Sequence, residues 1–387
     1  MAKTFTPARR AKDADHAVVY RREDEFCSWP YTSGFWENAS GELIASFTAR
    51  TVKYASASEI NHDALEAGSG SGPKVVTVRS RDRGVTWDGD NPQLNMLGNS
   101  IVASGEMPET LAGQGPINYL DRNVLVANGS VGGFATKDSQ GFVRISKDGG
   151  KSWGAPAKVP LDNLVSTTGI HSTVVRPDGR CLLFMFSVDS NNANRRPVVY
   201  GSLPGGTDFH FISFVTPQHD AWAQTEGEQV GSIRFIGHRW FYPRGYLLPN
   251  GRILCSLRCQ RDPTGVMWTE VYASDDGGKT WAFLSRVNDF GAPCSLVVMP
   301  DGRVVAVYGY RTMPSGIRAA VSEDGGKSWG PELIIRDDGG SWDLGYPNAW
   351  VAGDGKVGTL YYFNSKDDKV QANGGVRHIA RSIFSID

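Results

Sequence analysis

The stretch SKDGGKSW, from Ser146 to Trp153, is one of four copies of the pattern S-x-D-x-G-x-[ST]-W in this chain. The other copies are SRDRGVTW from Ser80 to Trp87, SDDGGKTW from Ser274 to Trp281 and SEDGGKSW from Ser322 to Trp329. In each copy we expect the Asp to accept backbone N–H hydrogen bonds, as in an Asx turn, and the Gly to adopt a positive φ. The pattern therefore predicts a tight hairpin turn whose Trp covers the adjoining core.

A second repeat, in which a hydrophobic strand leads through a turn into another strand, runs in phase with the first. Copies begin at Glu37, Tyr119, Val174, Tyr246, Leu296 and Val351. The six turns are 51 to 80 residues apart, a period that suits one four-stranded blade of a β-propeller. We therefore predict an all-β fold, a six-bladed β-propeller built from four-stranded antiparallel blades.

The two ends of the chain are expected to meet in the last blade. The apolar stretch from His16 to Tyr20 would form its outer strand beside residues 377–384, which closes the ring and removes exposed sheet edges. No window shows the apolar spacing of a helix without turn residues interrupting it. We expect one propeller domain over residues 1–387, with residues 1–15 as a flexible N-terminal segment.

Charge and composition exclude several functional classes. The chain has 387 residues, of which 40 are basic and 41 acidic, so its net charge of −1 is unlike that of a nucleic-acid-binding protein. No apolar run approaches the roughly 20 residues of a membrane helix, and the N-terminus lacks the apolar core of a signal peptide. We expect no nucleic-acid or membrane partner, and either a cytoplasmic location or the mature form of a secreted protein. The sequence leaves the oligomeric state open.

Motifs for metals and cofactors are missing from the sequence. The five cysteines lack C-x-x-C spacing, and the Asp-rich turns lack the ligand series of a calcium loop. Neither a phosphate loop nor a dinucleotide fingerprint occurs. We predict no obligatory cofactor and no metal site.

Residues that precede each repeat turn are expected to line the pocket of the propeller, because the innermost strand of a blade begins near the central axis. These residues are Trp29, Tyr31, Asn118, His171, Tyr242, Arg244, Cys294, Tyr346 and Asn348. Most are aromatic or polar. Such a lining suits a sugar, which presents apolar C–H faces and hydroxyl edges together.

The turn pattern resembles the Asp-box, or BNR repeat, and the six units resemble the six-bladed propeller of the sialidase (neuraminidase) superfamily. The resemblance covers nearly the whole chain, from about Cys27 to Ser385. In that family the Asp-boxes lie away from the catalytic face. They therefore imply a fold, and the activity has to be argued from the site.

The resemblance implies catalytic roles for three kinds of residue. Tyr346, in the sequence DLGY, stands where the family has its nucleophilic tyrosine. A neutral phenol polarised by a Glu suits attack beside a substrate carboxylate, because it avoids the repulsion that a carboxylate nucleophile would meet. Asp63, in the first long loop, corresponds to the acid/base aspartate, and Glu226 or Glu228 could activate the tyrosine.

The resemblance also implies a set of arginines that hold a substrate carboxylate through paired hydrogen bonds. Arg258 and Arg318 correspond to two of them, with Arg311 as a close competitor of Arg318. The family's first arginine, in a Phe/Tyr-Arg-Ile-Pro motif, is missing from the corresponding stretch Cys27–Pro30. Arg244 could compensate from another direction. The predicted substrate-binding set also includes Tyr242, Trp29 and Asn348.

Three functions remain open from the sequence. The first is a sialidase-like glycosidase that releases a terminal acidic sugar from a glycan. The second is a polysaccharide lyase, with His171 or His62 as the base, Tyr242 or Tyr346 as proton donor and Arg244 at the uronate carboxylate. The third is a carbohydrate-binding propeller without catalysis, which the missing arginine favours.

Overall fold

The computed structural model describes residues 6–55, 73–95, 107, 110–188, 195–217, 229–230, 233–234, 239–260, 266–371 and 374–387. It confirms the predicted all-β fold class, since the described strands form six β-propeller blades, three in each compact unit. The one α-helix of the described residues has four residues. No described helix has the length and the apolar character to cross a bilayer.

The elements follow one another as β1 (Arg9–Arg10), β2 (Lys12–Tyr20), β3 (Glu25–Ser28), α1 (Pro30–Ser33), β4 (Phe35–Glu37), β5 (Leu43–Thr51), β6 (Lys74–Ser80), β7 (Gln93–Leu94), β8 (Leu125–Val131), β9 (Gln140–Ser146), β10 (Ala157–Lys158), β11 (Thr168–Val175), β12 (Cys181–Val188), β13 (Arg195–Gly201), β14 (His210–Phe214), β15 (Gln229–Val230), β16 (Ile233–Arg234), β17 (Arg239–Leu247), β18 (Ile253–Gln260), β19 (Met267–Ser274), β20 (Ala282–Arg286), β21 (Cys294–Val298), β22 (Val304–Tyr310), β23 (Gly316–Ser322), β24 (Leu333–Arg336), β25 (Gly345–Val351), β26 (Val357–Phe363) and β27 (His378–Ser385). Short 3₁₀ turns span Ala112–Gln114 and Gly353–Gly355.

The chain packs as two compact units. Unit 1 comprises Met1–Phe35, Leu43–Asn95 and Phe290–Asp387, and unit 2 comprises Trp36–Glu42 and Met96–Asp289. The expectation of a single domain over residues 1–387 stays a prediction. Within residues 1–15, strand β1 and the start of β2 are present.

Unit 1 contains three blades, with strand orders β3-β5-β6-β7, β21-β22-β23-β24 and β25-β26-β27-β2. Strand β2 pairs antiparallel with β27, so His16 lies opposite Ser382. This confirms the prediction that the N-terminal strand completes the last blade. An apolar core of unit 1 extends over strands β21 to β27 and includes Val305, Val307 and Phe363, which are fully buried.

Unit 2 contains the blades β8-β9-β10, β11-β12-β13-β14 and β17-β18-β19-β20, and the short hairpin β15-β16. All eight residues of β12 are buried, so this strand reads as a continuous apolar run. Leu183 and Met185 belong to one apolar cluster, whereas Leu182 and Phe184 belong to another. Because successive side chains of a strand point to opposite faces, the blade is covered on both sides.

The four repeat turns share one hydrogen-bond set. In the copy at Ser146, the Ser146 hydroxyl donates to Asp148 Oδ1 at 2.8 Å, and the Gly150 N–H donates to Ser146 Oγ at 2.8 Å. The Ser152 N–H donates to Asp148 Oδ1 at 2.9 Å, and φ of Gly150 is +83°. The same bonds recur in the other three copies. The predicted turn geometry is therefore confirmed.

Candidate active site

A local backbone distortion recurs at the first strand of four blades. A non-glycine residue there adopts a left-handed conformation, with φ of +56° at Trp29, +55° at His171, +55° at Tyr242 and +52° at Tyr346. Aromatic side chains rarely adopt positive φ, and such strained positions concentrate at functional sites. The sequence analysis selected all four residues by position, without detecting the strain.

The strand register shifts at three of these residues. The pairing is interrupted around His171 in β11, around Tyr242 in β17 and around Tyr346 in β25. Prolines follow Trp29, Tyr242 and Tyr346. Because proline lacks the N–H that a strand ladder requires, an aromatic–proline pair at the start of a blade is a sequence signal for this distortion. Our sequence analysis did not use that signal.

In unit 1, Tyr346 lies in a cluster with Tyr31, Arg311, Asp343 and Tyr362, which we name the tyrosine–arginine cluster. The ring centroid of Tyr346 lies 6.5 Å from that of Tyr31 and 5.8 Å from that of Tyr362, both edge to face. Arg311 Cζ lies over the Tyr346 ring, 5.2 Å from its centroid. Tyr346 is only 2% exposed. The cluster therefore places a guanidinium on the face of a buried phenol.

Hydrogen bonds fix Arg311 in this position. Its Nε and Nη2 donate to the backbone oxygen of Leu344 at 3.2 and 3.1 Å, and Nη2 also donates to the Tyr362 hydroxyl at 3.3 Å. The Tyr362 hydroxyl donates to Asp343 Oδ1 at 2.6 Å. Burial and the neighbouring Asp343 carboxylate raise the pKa of Tyr362 well above its usual value. Tyr362 is therefore a neutral phenol that links Asp343 to Arg311.

The buried guanidinium of Arg377 lies beside the tyrosine–arginine cluster and contacts Asp343. Arg377 is fully buried, and its Nε lies 3.7 Å from Asp343 Oδ2. Its Nη2 donates to Ser341 Oγ at 3.0 Å, and Nη1 donates to the Gly375 oxygen at 2.8 Å. A buried guanidinium is tolerated only when it is paired and hydrogen-bonded. Asp343 therefore has two roles, since it neutralises Arg377 and orients Tyr362.

In unit 2, His171 packs edge to face against Trp36, with ring centroids 5.7 Å apart. Its Nδ1 has no hydrogen-bond partner within the described ranges. Burial, and to a smaller extent the charge of Arg244, lower the pKa of His171 to about 3. His171 is therefore a neutral imidazole at physiological pH. The Gly245 N–H donates to Ser172 Oγ at 3.1 Å, which ties together the β11 and β17 distortions.

The structure brings Tyr242 and Arg258 together, also in unit 2. Arg258 Cζ lies 5.4 Å from the ring centroid of Tyr242 and 5.3 Å from that of Phe241. Its Nη2 donates to Gln260 Oε1 at 2.7 Å. Phe134 stacks on Tyr242 with a centroid separation of 6.2 Å. Tyr242 therefore packs among aromatic rings and beside a guanidinium.

Arg318 has a different environment from its competitor Arg311. Its Nη1 donates to Glu332 Oε2 at 2.5 Å, and its Cζ lies 3.4 Å from the ring centroid of Tyr310. The Tyr308 hydroxyl donates to the same Glu332 at 2.6 Å. Of the two arginines, Arg311 is the one that the structure places against Tyr346.

The remaining predicted residues have local structural contacts. The backbone oxygen of Trp29 accepts a hydrogen bond from the Ser33 hydroxyl at 2.9 Å, at the start of α1. Asn348 on β25 is fully buried, and Cys294 is 1% exposed. Asn118 Oδ1 accepts the Leu120 N–H at 3.2 Å and so shapes a turn.

Four candidates cannot be compared with the structure. His62, Asp63, Glu226 and Glu228 lie outside the described residues. Their predicted roles stay predictions. Within the part of the chain that the structure describes, no group of three or more His, Cys, Asp or Glu side chains is arranged to hold a metal ion.

Three solved structures share this fold. A protein of unknown function from Dyadobacter fermentans is 22% identical, with a TM-score of 0.70 over 99% of this chain and 100% of that chain. Hadza microbial sialidase Hz136 is 16% identical, with a TM-score of 0.58 over 96% of this chain and 68% of that one. The α-L-arabinanase of Penicillium chrysogenum, complexed with arabinobiose, is 12% identical, with a TM-score of 0.60 over 96% and 97%.

No curated protein matches this sequence significantly. Identities this low between the solved structures and this chain show a shared fold and do not transfer a substrate. The family model described as the BNR repeat-like domain matches residues 114–359, well over half of the chain. The chain therefore belongs to the BNR repeat-like domain family.

Proposed function

We propose that this protein is a retaining glycosidase in which Tyr346 is the nucleophile that releases a terminal acidic sugar from a glycan. The observation that carries the proposal is the position of Arg311, whose guanidinium lies 5.2 Å from the Tyr346 ring centroid. Leu344 and the Asp343–Tyr362 pair hold it there. The names of two proteins that share the fold, a sialidase and an arabinanase, are consistent with an enzyme that acts on glycans.

The chemistry of the proposed reaction has two steps. In the first, the Tyr346 hydroxyl gives its proton to the activating carboxylate as its oxygen bonds to the anomeric carbon, while the glycosidic C–O bond breaks and the leaving oxygen takes a proton from the general acid. In the second, a water oxygen bonds to the anomeric carbon as the Tyr346–sugar bond breaks; the proton of the water returns to the acid/base group, and Tyr346 recovers its own proton from the activating carboxylate. Asp63 as the acid/base and Glu228 as the group that activates Tyr346 complete this proposal from the sequence.

Arg311 suits both the nucleophile and an acidic sugar. A guanidinium on the face of a phenol stabilises negative charge that develops on the ring oxygen. The same cation attracts a carboxylate on the sugar, for which arginine is better suited than lysine. Because Arg311 is held by three hydrogen bonds, it does not have to reorganise during the reaction.

The lyase alternative with His171 as its base is weaker in this geometry, whereas His62, the other candidate base, lies outside the described residues. A general base works best when its pKa lies near the working pH, and burial lowers the pKa of His171 to about 3. An imidazole that weak gives little driving force for removing a proton next to a carboxylate. His171 therefore fits a packing role better than the role of the base.

A carbohydrate-binding protein without catalysis is the second candidate, and one observation favours it. Tyr346 is 2% exposed, whereas a nucleophile has to reach the anomeric carbon. A buried Tyr346 would still support a binding surface through its packing. The two candidates differ in whether bound glycan is turned over.

The test is turnover of chromogenic glycosides of sialic acid, uronic acids and arabinofuranose, by the wild type and by Tyr346→Phe. We expect hydrolysis of an acidic glycoside by the wild type and a loss of at least about a hundredfold in Tyr346→Phe. Tyr361→Phe is the matched control, because it removes another buried phenol that hydrogen-bonds to Ser382 Oγ at 2.6 Å in the same unit.

Each outcome of this test points to one function. Full activity in Tyr346→Phe would contradict the nucleophile. Release of an unsaturated uronate, seen by its ultraviolet absorbance, would establish the lyase. Binding of a glycan without turnover would establish the binding protein.

A further inference from the structure

Trp342 is the one exposed tryptophan among the described residues. The residue as a whole is 49% exposed, whereas every other described tryptophan is buried or partly buried. An indole displayed to water contributes less to folding than a buried one, because each Å² of apolar surface left exposed forgoes about 25 cal/mol of burial free energy. Single exposed apolar residues are common on protein surfaces, so a binding role has to be argued from the contacts around Trp342.

The backbone on both sides of Trp342 is held rigidly. The Ser341 N–H donates to Asn364 Oδ1 at 2.6 Å, and Asn364 Nδ2 donates to the Asp343 oxygen at 2.7 Å. The Ser315 hydroxyl donates to the Ser341 oxygen at 2.9 Å. Asn364 is fully buried. These hydrogen bonds hold the backbone on both sides of Trp342 in one conformation, so less backbone entropy is lost when a ligand binds there.

Arg311 connects Trp342 to the tyrosine–arginine cluster. Its Cζ lies 5.4 Å from the ring centroid of Trp342 and 5.2 Å from that of Tyr346. The guanidinium thus contacts both an exposed ring and a buried one. Whatever binds on Trp342 therefore lies next to the cluster that we propose as the catalytic site.

The adjoining loop adds a second exposed apolar side chain. Met313 is 68% exposed, and it lies between Arg311 and Ser315. The Gly339 N–H donates to the Ser315 oxygen at 3.0 Å, which joins this loop to the one that carries Trp342. The combination of an indole, a thioether and a guanidinium fits a ring that has apolar C–H faces and polar edges.

We propose that Trp342 is a stacking platform for a sugar ring of the glycan, namely the ring next to the one that is cleaved at Tyr346. The C–H face of the sugar packs on the indole, and its hydroxyl edge lies beside Arg311, whose guanidinium is proposed to hold the carboxylate of the terminal sugar. This inference rests on the proposed function, and it adds a subsite for a second sugar. The consequence is a preference for oligosaccharides over simple methyl glycosides.

The test compares Trp342→Ala and Trp342→Phe with the wild type on a methyl monoglycoside, whose aglycone is too small to stack on the indole, and on the matching oligosaccharide. We expect Trp342→Ala to raise KM for the oligosaccharide about tenfold, with KM for the methyl glycoside unchanged. Trp342→Phe should restore most of the difference, because it keeps an aromatic face. Phe290→Ala is the matched control, since Phe290 is 45% exposed in the same unit and is expected to leave both KM values unchanged.

Calorimetric titration of Tyr346→Phe with the oligosaccharide separates this inference from the proposed function. Weaker binding when Trp342→Ala is added to Tyr346→Phe supports the platform, even if Tyr346 is not the nucleophile. Suppose that Tyr346→Phe loses activity, but Trp342→Ala changes neither the binding of the oligosaccharide nor its KM. That result overturns the platform and leaves the proposed glycosidase intact. Absence of both binding and turnover for every glycan overturns both.

Discussion

Replacing His378 with asparagine should make the protein less sensitive to acid. His378 is 4% exposed, and its Nδ1 lies 3.0 Å from the Val376 oxygen, to which it donates as a neutral ring. Burial lowers the pKa of His378 to about 4, against an ordinary value of 6.5. Between these two values the unfolded chain binds a proton that the folded protein does not. The free energy of unfolding therefore falls as the pH falls through this window and is fully restored above it.

The size of the effect follows from the two pKa values. At pH 5 the unfolded imidazole is about 1.5 pH units below its titration midpoint, whereas the folded imidazole is still mostly neutral. Each pH unit of differential protonation is worth about 1.4 kcal/mol, so His378 contributes a loss of about 2 kcal/mol between pH 7 and pH 5. An asparagine at this position cannot titrate, and its amide N–H can still donate to the Val376 oxygen.

Urea unfolding at pH 7 and at pH 5 measures this loss. Wild type should lose about 2 kcal/mol more than His378→Asn between the two pH values. The control is His210→Asn, because His210 is exposed on β14, and this variant should follow the wild type. The reasoning would be refuted if the wild type and His378→Asn lost the same free energy of unfolding.

Two further predictions concern the candidate site. Asp343→Asn should lower the free energy of unfolding, measured by urea titration, by about 3–5 kcal/mol, because it leaves the fully buried Arg377 without its counter-charge. Adding Arg377→Met to this variant should recover part of the loss. A loss below about 1 kcal/mol in the single variant would show that the pair is not needed. His171→Asn should leave the pH dependence of kcat/KM near neutral pH unchanged, because the pKa of His171 is about 3. If this variant removed a limb of the pH profile near pH 6 and most of the activity, the lyase would be favoured instead.

The turns and the closing of the last blade could be predicted from the sequence because their determinants are local. The Ser and the Asp of the S-x-D-x-G-x-[ST]-W pattern supply the side-chain acceptors of the turn, as the bonds around Asp148 show. The position of the His16–Tyr20 stretch beside the C-terminal strand followed from its apolar character and from the need to cover a sheet edge, whereas the register that pairs His16 with Ser382 comes from the structure. No long-range side-chain geometry was required for either inference.

The candidate site was harder to predict because its determinants are far apart in the sequence. Arg311 and Arg318 are seven positions apart near one hairpin, and only the contacts of their side chains separate them. Glu332 binds Arg318, whereas Leu344 and Tyr362 direct Arg311 to Tyr346. The distances that decide between the two arginines do not follow from spacing or composition.

The burial of Arg377 is a second feature that could not be predicted from the sequence. An arginine at the start of a strand is normally expected at the surface, yet this one is fully buried beside Asp343. The recurring aromatic–proline pairs, in contrast, were visible in the sequence. With the structure as a guide, they identify the distorted position in three of the four blades.

Covalent trapping tests the central claim, that Tyr346 is the nucleophile of a retaining glycosidase, most directly. The wild type would be treated with fluorinated glycosyl fluorides of sialic acid, uronic acid and arabinose, which slow the second step so that the glycosyl-enzyme accumulates. Peptide mass spectrometry would then locate the sugar. The account predicts one added sugar on Tyr346 and none in Tyr346→Phe. A sugar on any other residue, or turnover with inverted product and no adduct, would contradict it.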